Sequence, residues 1–168
     1  QIGFSDVRIY GTVNGTVAAV EKFVVSPAVN IEEAGTATIY PVSDTYEVGT
    51  VVTLTATDRF GYNFVNWTNA AGKEVSTDAK LTWEVEADET LTANFMKVNT
   101  YALNLTVEAP ANDYMVQWNP APTEVDGKKM YEEGTKVVLT TMNNRLLTFA
   151  GWSNDETASE IVVDMTQD

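Results

Sequence analysis

The chain repeats itself. Residues Tyr46–Trp67 read YEVGTVVTLTATDRFGYNFVNW, and Tyr131–Trp152 read YEEGTKVVLTTMNNRLLTFAGW. At a constant offset of 85, nine of these twenty-two positions are identical without a gap. The shared frame is Tyr-Glu-x-Gly-Thr-x-Val-x-Leu-Thr, closed by Phe-x-x-Trp. Self-similarity at a fixed spacing means one structural unit built twice. The 168 residues therefore read as two small modules in tandem, where length alone would also have allowed a single medium domain.

The periodicity inside the repeat is that of a strand. Val48, Val52, Leu54 and Ala56 fall on one side, with Thr53, Thr55 and Thr57 on the other, and Val137 and Leu139 repeat the apolar side. Gly49 and Gly134 stand just before these strands, where a tight turn needs positive φ. Further on, Leu81, Trp83 and Val85 share a face. Asp88 and Glu89 then predict a turn, and Leu91, Ala93 and Phe95 the inner side of a closing strand. Tyr101, Leu103, Leu105 and Val107 open the second copy in the same style. Threonine (23) and valine (22) together exceed a quarter of the chain, and β-branched side chains at that density suit pleated sheets. Helical periodicity of useful length is absent, and Val17–Lys22 manages a turn or two at most. The expectation is an all-β fold, or a β-rich one with at most short helices.

The second copy stops early. Ile161–Asp168 runs as far as the equivalent of Asp88, and no counterpart of Glu89–Phe95 follows. A small sheet without its last strand has an open edge and an incomplete core. Continuation of the polypeptide is the expected remedy, with a strand supplied from elsewhere as the alternative. A start at Gln1 without methionine likewise reads as a processed or excised fragment.

The run Tyr-x-x-Gly-x-x-Val-x-Leu-Thr-Ala, then Gly-Tyr-x-Phe-x-x-Trp, then Asp-Glu-Thr-Leu-Thr-Ala-Asn-Phe, from Tyr46 to Phe95, resembles the divergent internalin-type B-repeat of bacterial surface and secreted proteins. The likeness covers residues 28–97 strongly and 98–168 less so, because Leu146 and Leu147 replace the Gly-Tyr pair and the last strand is missing. The resemblance implies a small β-grasp-like sheet module, usually in tandem, attached to adhesins or glycan-processing enzymes at the cell surface or outside the cell. It implies no catalytic residues. Ile2-Gly-Phe-Ser-Asp-Val-Arg-Ile-Tyr-Gly11 is similar to the closing strand of jelly-roll carbohydrate-binding modules. Residues 1–27 are thus read as that strand plus a connector, ahead of repeats at 28–97 and 98–168.

Chemistry is constrained by what is absent. With no histidine and no cysteine there is no Ser–His or Cys–His couple, imidazole ligand, thiolate or disulfide. Ten basic against 24 acidic side chains give a net charge of −14, which disfavours nucleic acid and anionic membranes. The same charge disfavours acidic glycans, so a sugar partner is expected to be neutral. Apolar residues at 44% argue against disorder, and no apolar run approaches the roughly 20 residues needed to span a bilayer.

Few side chains remain as candidates. Tyr40 and Trp118 each end a short strand ahead of a proline, Pro41 or Pro120, at positions taken as equivalent. Ala37 and Ile39 as the apolar face would put Tyr40 outside. Tyr114 shares a face with Val116 and Trp118. Exposed aromatics stack on pyranose rings, so Tyr40, Tyr114 and Trp118 are the ligand-binding candidates, weighed against packing at the rim of the core. Trp67 and Trp152, with Phe64 and Phe149, read as core, and Tyr46 and Tyr131 as residues fixing the hairpin. The acid pairs Glu32/Glu33, Asp88/Glu89, Glu132/Glu133 and Asp155/Glu156 read as solvated turn charge. Sequence neighbours do not make a glycosidase cleft, and no calcium loop motif occurs. No catalytic residue, metal site or cofactor is expected. The sequence favours a non-catalytic accessory module that binds a neutral polysaccharide or spaces other domains of the same polypeptide. A module adhering to a surface protein is the alternative.

Overall fold

The computed structural model describes residues 19–108, 116–143 and 148–166, and every regular element among them is a strand. The jelly-roll-like strand Ile2–Gly11 and the Leu146-Leu147 departure fall outside the described residues. Among the described residues no helix is long and apolar enough to cross a membrane, and Lys22, at the end of the one stretch with helical potential, lies in a strand.

The first repeat builds two sheets around one core. In the first sheet, β3 (Gly35–Tyr40), β5 (Val51–Asp58) and β8 (Lys80–Glu84) pair antiparallel in the order β3-β5-β8. In the second, β2 (Val25–Val29), β6 (Tyr62–Thr68), β7 (Glu74–Ser76) and β9 (Glu89–Lys97) take the order β2-β9-β6-β7. β9 is central, parallel to β2 and antiparallel to β6. Alternation sends Val52, Leu54, Ala56 and Leu81 inward from one sheet and Leu91, Ala93 and Phe95 inward from the other, all buried. Trp67 is fully enclosed between them, its indole N–H donating to the Ala79 carbonyl at 3.3 Å. Two short strands, β1 (Lys22–Phe23) and β4 (Tyr46–Glu47), close the end of the module. Among the described residues pairing starts at Lys22, inside the segment expected to be connector, and Val25 is buried beside β9.

The second repeat reproduces one sheet of the two. β11 (Val116–Asn119), β14 (Lys136–Thr141) and β15 (Glu160–Asp164) pair in the order β11-β14-β15. Leu54 faces Leu81 as Leu139 faces Ile161. The turn glycines match too: Gly49 (φ 82°) donates to the Val85 carbonyl at 2.8 Å, and Gly134 (φ 81°) to the Met165 carbonyl at 2.7 Å. β10 (Thr100–Ala102) and β13 (Lys128–Glu132) pair Tyr101 with Tyr131, as β1 and β4 pair Phe23 with Tyr46. Copy two adds an arm of its own, β12 (Thr123–Val125), joined to β13 through Asp126-Gly127. Both turn residues have positive φ, 50° and 74°, as a two-residue hairpin turn of this hand requires.

The other sheet has no strand counterpart among the described residues of copy two. Trp67 to Leu81 spans 81 − 67 = 14 positions, whereas Trp152 to Ile161 spans 161 − 152 = 9. That shorter loop omits β7, and no counterpart of β9 is present among the described residues. Segments 103–108 and 148–152, which correspond to β2 and β6, carry no strand ladder. Their apolar side chains Leu103, Leu105 and Trp152 still pack on the smaller core of Val116, Tyr131, Val137, Leu139 and Met165.

The repeats meet at Gly61. Its N–H donates to Glu132 Oε1 at 2.7 Å, and its carbonyl accepts from the Val98 N–H at 3.0 Å. Glu133 and Asn99 bond each other through both backbone and side chains.

Candidate binding face

The outer side of the β3-β5-β8 sheet is hydroxyl-rich by alternation. Since Ala37 and Ile39 point to the core, Thr36, Thr38 and Tyr40 point out. They face Thr57, Thr55 and Thr53 on β5, and Thr53 in turn faces Thr82 on β8. Tyr40 therefore ends a row, Tyr40–Thr53–Thr82, running across three strands. Its side chain is 76% exposed, and Val42 (85%) and Val51 (56%) lie exposed nearby in sequence and register. The result is a sheet face of one aromatic ring, the apolar Val51 and several hydroxyls, with Lys80 and Glu84 at its β8 margin. Such a surface offers a stacking plane and neutral hydrogen-bonding groups together.

Tyr40 and Trp118 are not equivalent, contrary to expectation. Tyr40 pairs with Thr53 and Ile39 with Leu54, whereas Trp118 pairs with Leu139 and Asn119 with Val138. Leu54 and Leu139 correspond in the repeat, so Trp118 takes the place of Ile39, and Asn119 that of Tyr40. A shift of one residue along a strand exchanges faces. Trp118 is accordingly half-buried against the second core, with the Lys129 ammonium 5.0 Å from its ring centroid. The Tyr40-Pro41 and Asn119-Pro120 bonds are both cis. Tyr114 lies outside the described residues. Tyr40 and Trp118 therefore stand on opposite faces of the corresponding strands.

The remaining aromatics are structural. Phe64 and Trp67 pack with ring centroids 5.9 Å apart, and Phe149 and Trp152 at 5.1 Å. Tyr46 and Tyr131 are buried, and their hydroxyls donate to the carbonyls of Pro41 (2.7 Å) and Pro120 (3.0 Å). Each phenol thereby ties down the loop that follows β3 or β11. Burial raises the Tyr131 phenol above its ordinary value.

Two of the acid pairs, Asp88/Glu89 and Glu132/Glu133, hold backbone N–H groups. Asp88 accepts from the Val24 N–H and Glu89 from the Ala70 N–H, both at 2.8 Å, while Glu132 holds Gly61. Among the described residues no group of acids is arranged to hold a metal ion. The two depressions are open: one of about 320 Å³ beside Pro27, Glu32, Gly35 and Arg59, and one of about 180 Å³ at the joint beside Phe60, Pro120 and Glu132. Sequence reasoning missed Val51, because the register that sets it on the face of Tyr40 depends on strand pairing. It also missed the Glu132–Gly61 clasp, which joins residues 71 positions apart.

Residues 25–99 match the family model described as the Divergent InlB B-repeat domain. That family is a non-catalytic repeat typical of bacterial surface and secreted proteins, and the matched span coincides with strands β2 to β9. No curated protein and no solved structure matches the chain.

Proposed function

We propose that the chain is a non-catalytic accessory module of a bacterial extracellular or cell-surface protein, built from two B-repeats, the second divergent. Its first repeat binds a neutral glycan on the Tyr40 face, and the joint at Gly61 makes the pair a semi-rigid spacer. The observation that carries the reading is the 76% exposed Tyr40 ring at the end of the row Tyr40–Thr53–Thr82. A hydroxyl-lined sheet face with one ring suits the apolar face of a pyranose, and the net charge of −14 favours an uncharged chain of sugars.

The test is retardation of the protein in native gels cast with neutral or acidic polysaccharides. Retardation by a neutral glycan and by no polyuronate is the expected outcome. Migration unchanged in every neutral gel, with capture of a surface protein instead, would reverse the ranking in favour of adhesion. That second reading rests on the edge strands β3 and β8 of the first repeat's sheet, whose outer backbone groups can pair with a partner strand.

A further inference from the structure

We propose that the chain pairs with a second copy of itself along the free edge of β8. The two strands run antiparallel about a two-fold axis at Thr82, so that Lys80 of each copy faces the partner's Glu84. The two β3-β5-β8 sheets become one, and the row Tyr40–Thr53–Thr82 continues through the partner's Thr82 and the partner's Thr53 to the partner's Tyr40. The pairing stands on the strand edge alone; its use to a glycan rests on the Tyr40 reading.

Among the described residues β8 has β5 on one side and no strand on the other. The Ala56 N–H donates to the Ala79 carbonyl and the Val85 N–H to the Thr50 carbonyl, both at 2.9 Å, so the odd-numbered residues here turn their backbone groups to β5. The N–H and C=O groups of Lys80, Thr82 and Glu84 therefore point to the free edge, as alternate residues of an antiparallel strand must. These positions are symmetric about Thr82. Setting Thr82 against the partner's Thr82 places Lys80 against the partner's Glu84 and Leu81 against the partner's Trp83. Each outward N–H then meets an outward carbonyl, and opposite charges stand directly across the joint. On the inner face the half-buried Trp83 gains cover. Lys80 and Glu84 are exposed, and among the described residues neither side chain has an ion pair or hydrogen bond to give up.

The corresponding edge of the second repeat has the opposite character. In β15, Glu160 would face the partner's Asp164, acid against acid, and these carboxylates already bond Thr140 at 3.3 Å and Lys136 at 2.9 Å. Pairing β8 with β15 would match Lys80 with Asp164 but set Glu84 against Glu160. Charge thus selects β8 against β8, and a two-fold contact of this kind closes as a dimer. Five strand spacings of about 4.8 Å separate the two Tyr40 rings by about 24 Å on one face. A chain of several sugars can span them, where one copy offers a single ring. The contact is short and each copy carries −14, so the dimer is weak and forms where salt screens the net repulsion.

The experiment is sedimentation equilibrium of the full 168-residue protein without glycan, at about 0.15 M salt and up to about 1 mM chain. The parent should reach the mass of two chains, reversibly on dilution. Lys80→Glu and Glu84→Lys should each stay monomeric, since each sets like charges across the joint. Mixed in equal amounts they should form a heterodimer, because each supplies the sign the other lacks. In the parent dimer, amide exchange at Lys80, Thr82 and Glu84 should slow by about tenfold or more, while Leu81 and Trp83, already bonded to β5, stay unchanged. A parent that remains monomeric at the highest concentration, a dimer that either single variant keeps, or variants that do not pair when mixed would each overturn the proposal. None of these outcomes touches the sugar reading, which the polysaccharide gels decide separately.

Discussion

Gly61 of the first repeat donates its backbone N–H to Glu132 Oε1 of the second at 2.7 Å. Gly61 occupies a turn with φ of 86°, and Glu132 follows the buried Tyr131 at the end of β13. A loop tip of one module is thereby fastened to the closing strand of the next. Because the acceptor is a carboxylate and the donor a half-buried amide, this is the stronger kind of hydrogen bond.

Glu132→Ala should cost about 1–3 kcal/mol of coupling between the repeats, read as an earlier and broader unfolding transition in urea. Glu132→Gln keeps an acceptor and should lose less. If residues 19–99 alone melt at the same temperature as the whole chain, the joint contributes nothing to the stability of the first repeat.

The two tryptophans should differ although their motif is the same. Trp67→Ala opens a cavity in an enclosed core and should cost about 3–5 kcal/mol. Trp152→Ala removes a half-exposed ring and should cost distinctly less. Denaturant titrations of both variants check the order, and equal losses would mean that the second core is as complete as the first.

Gly35 sits where no side chain fits. A Cβ there would stand 2.5 Å from the Thr57 carbonyl oxygen and 2.6 Å from the Phe95 ring. Gly35→Ala should destabilise the first repeat by about 1–3 kcal/mol, whereas the same change at Gly72, which faces open space at φ 75°, tests backbone conformation alone.

Tyr131 gives the protein an alkaline limit. Its phenol is raised by burial, so above the unfolded value of about 10 the unfolded chain releases the proton before the folded one does. Stability is intact below that pH and falls as pH rises from there through the folded value. Tyr131→Phe should flatten this fall while losing about 1 kcal/mol at neutral pH with the bond to Pro120; urea midpoints measured against pH decide it.

Much of this was legible in the sequence, for a physical reason. Alternation at Val52, Leu54 and Ala56, and at Leu91, Ala93 and Phe95, fixes which side is buried, and all six are. Gly49 and Gly134 declare their turns. What could not be read is which strand lies beside which. The parallel pairing of β2 with β9 and the Glu132–Gly61 bond join distant residues without a local mark. Trp118 fails for a related reason: its distance to proline suggested equivalence with Tyr40, but facing is set by register with β14, one residue out.

Whether Tyr40 stacks on a bound glycan is decided by affinity measured by titration calorimetry. With the neutral polysaccharide that retards the protein most, Tyr40→Ala should lose about tenfold or more in affinity (at least about 1.4 kcal/mol), while Trp118→Ala, altering a ring packed against the second core, leaves affinity within about twofold of the parent. Undiminished binding by Tyr40→Ala would mean that the Tyr40 ring is not the stacking residue.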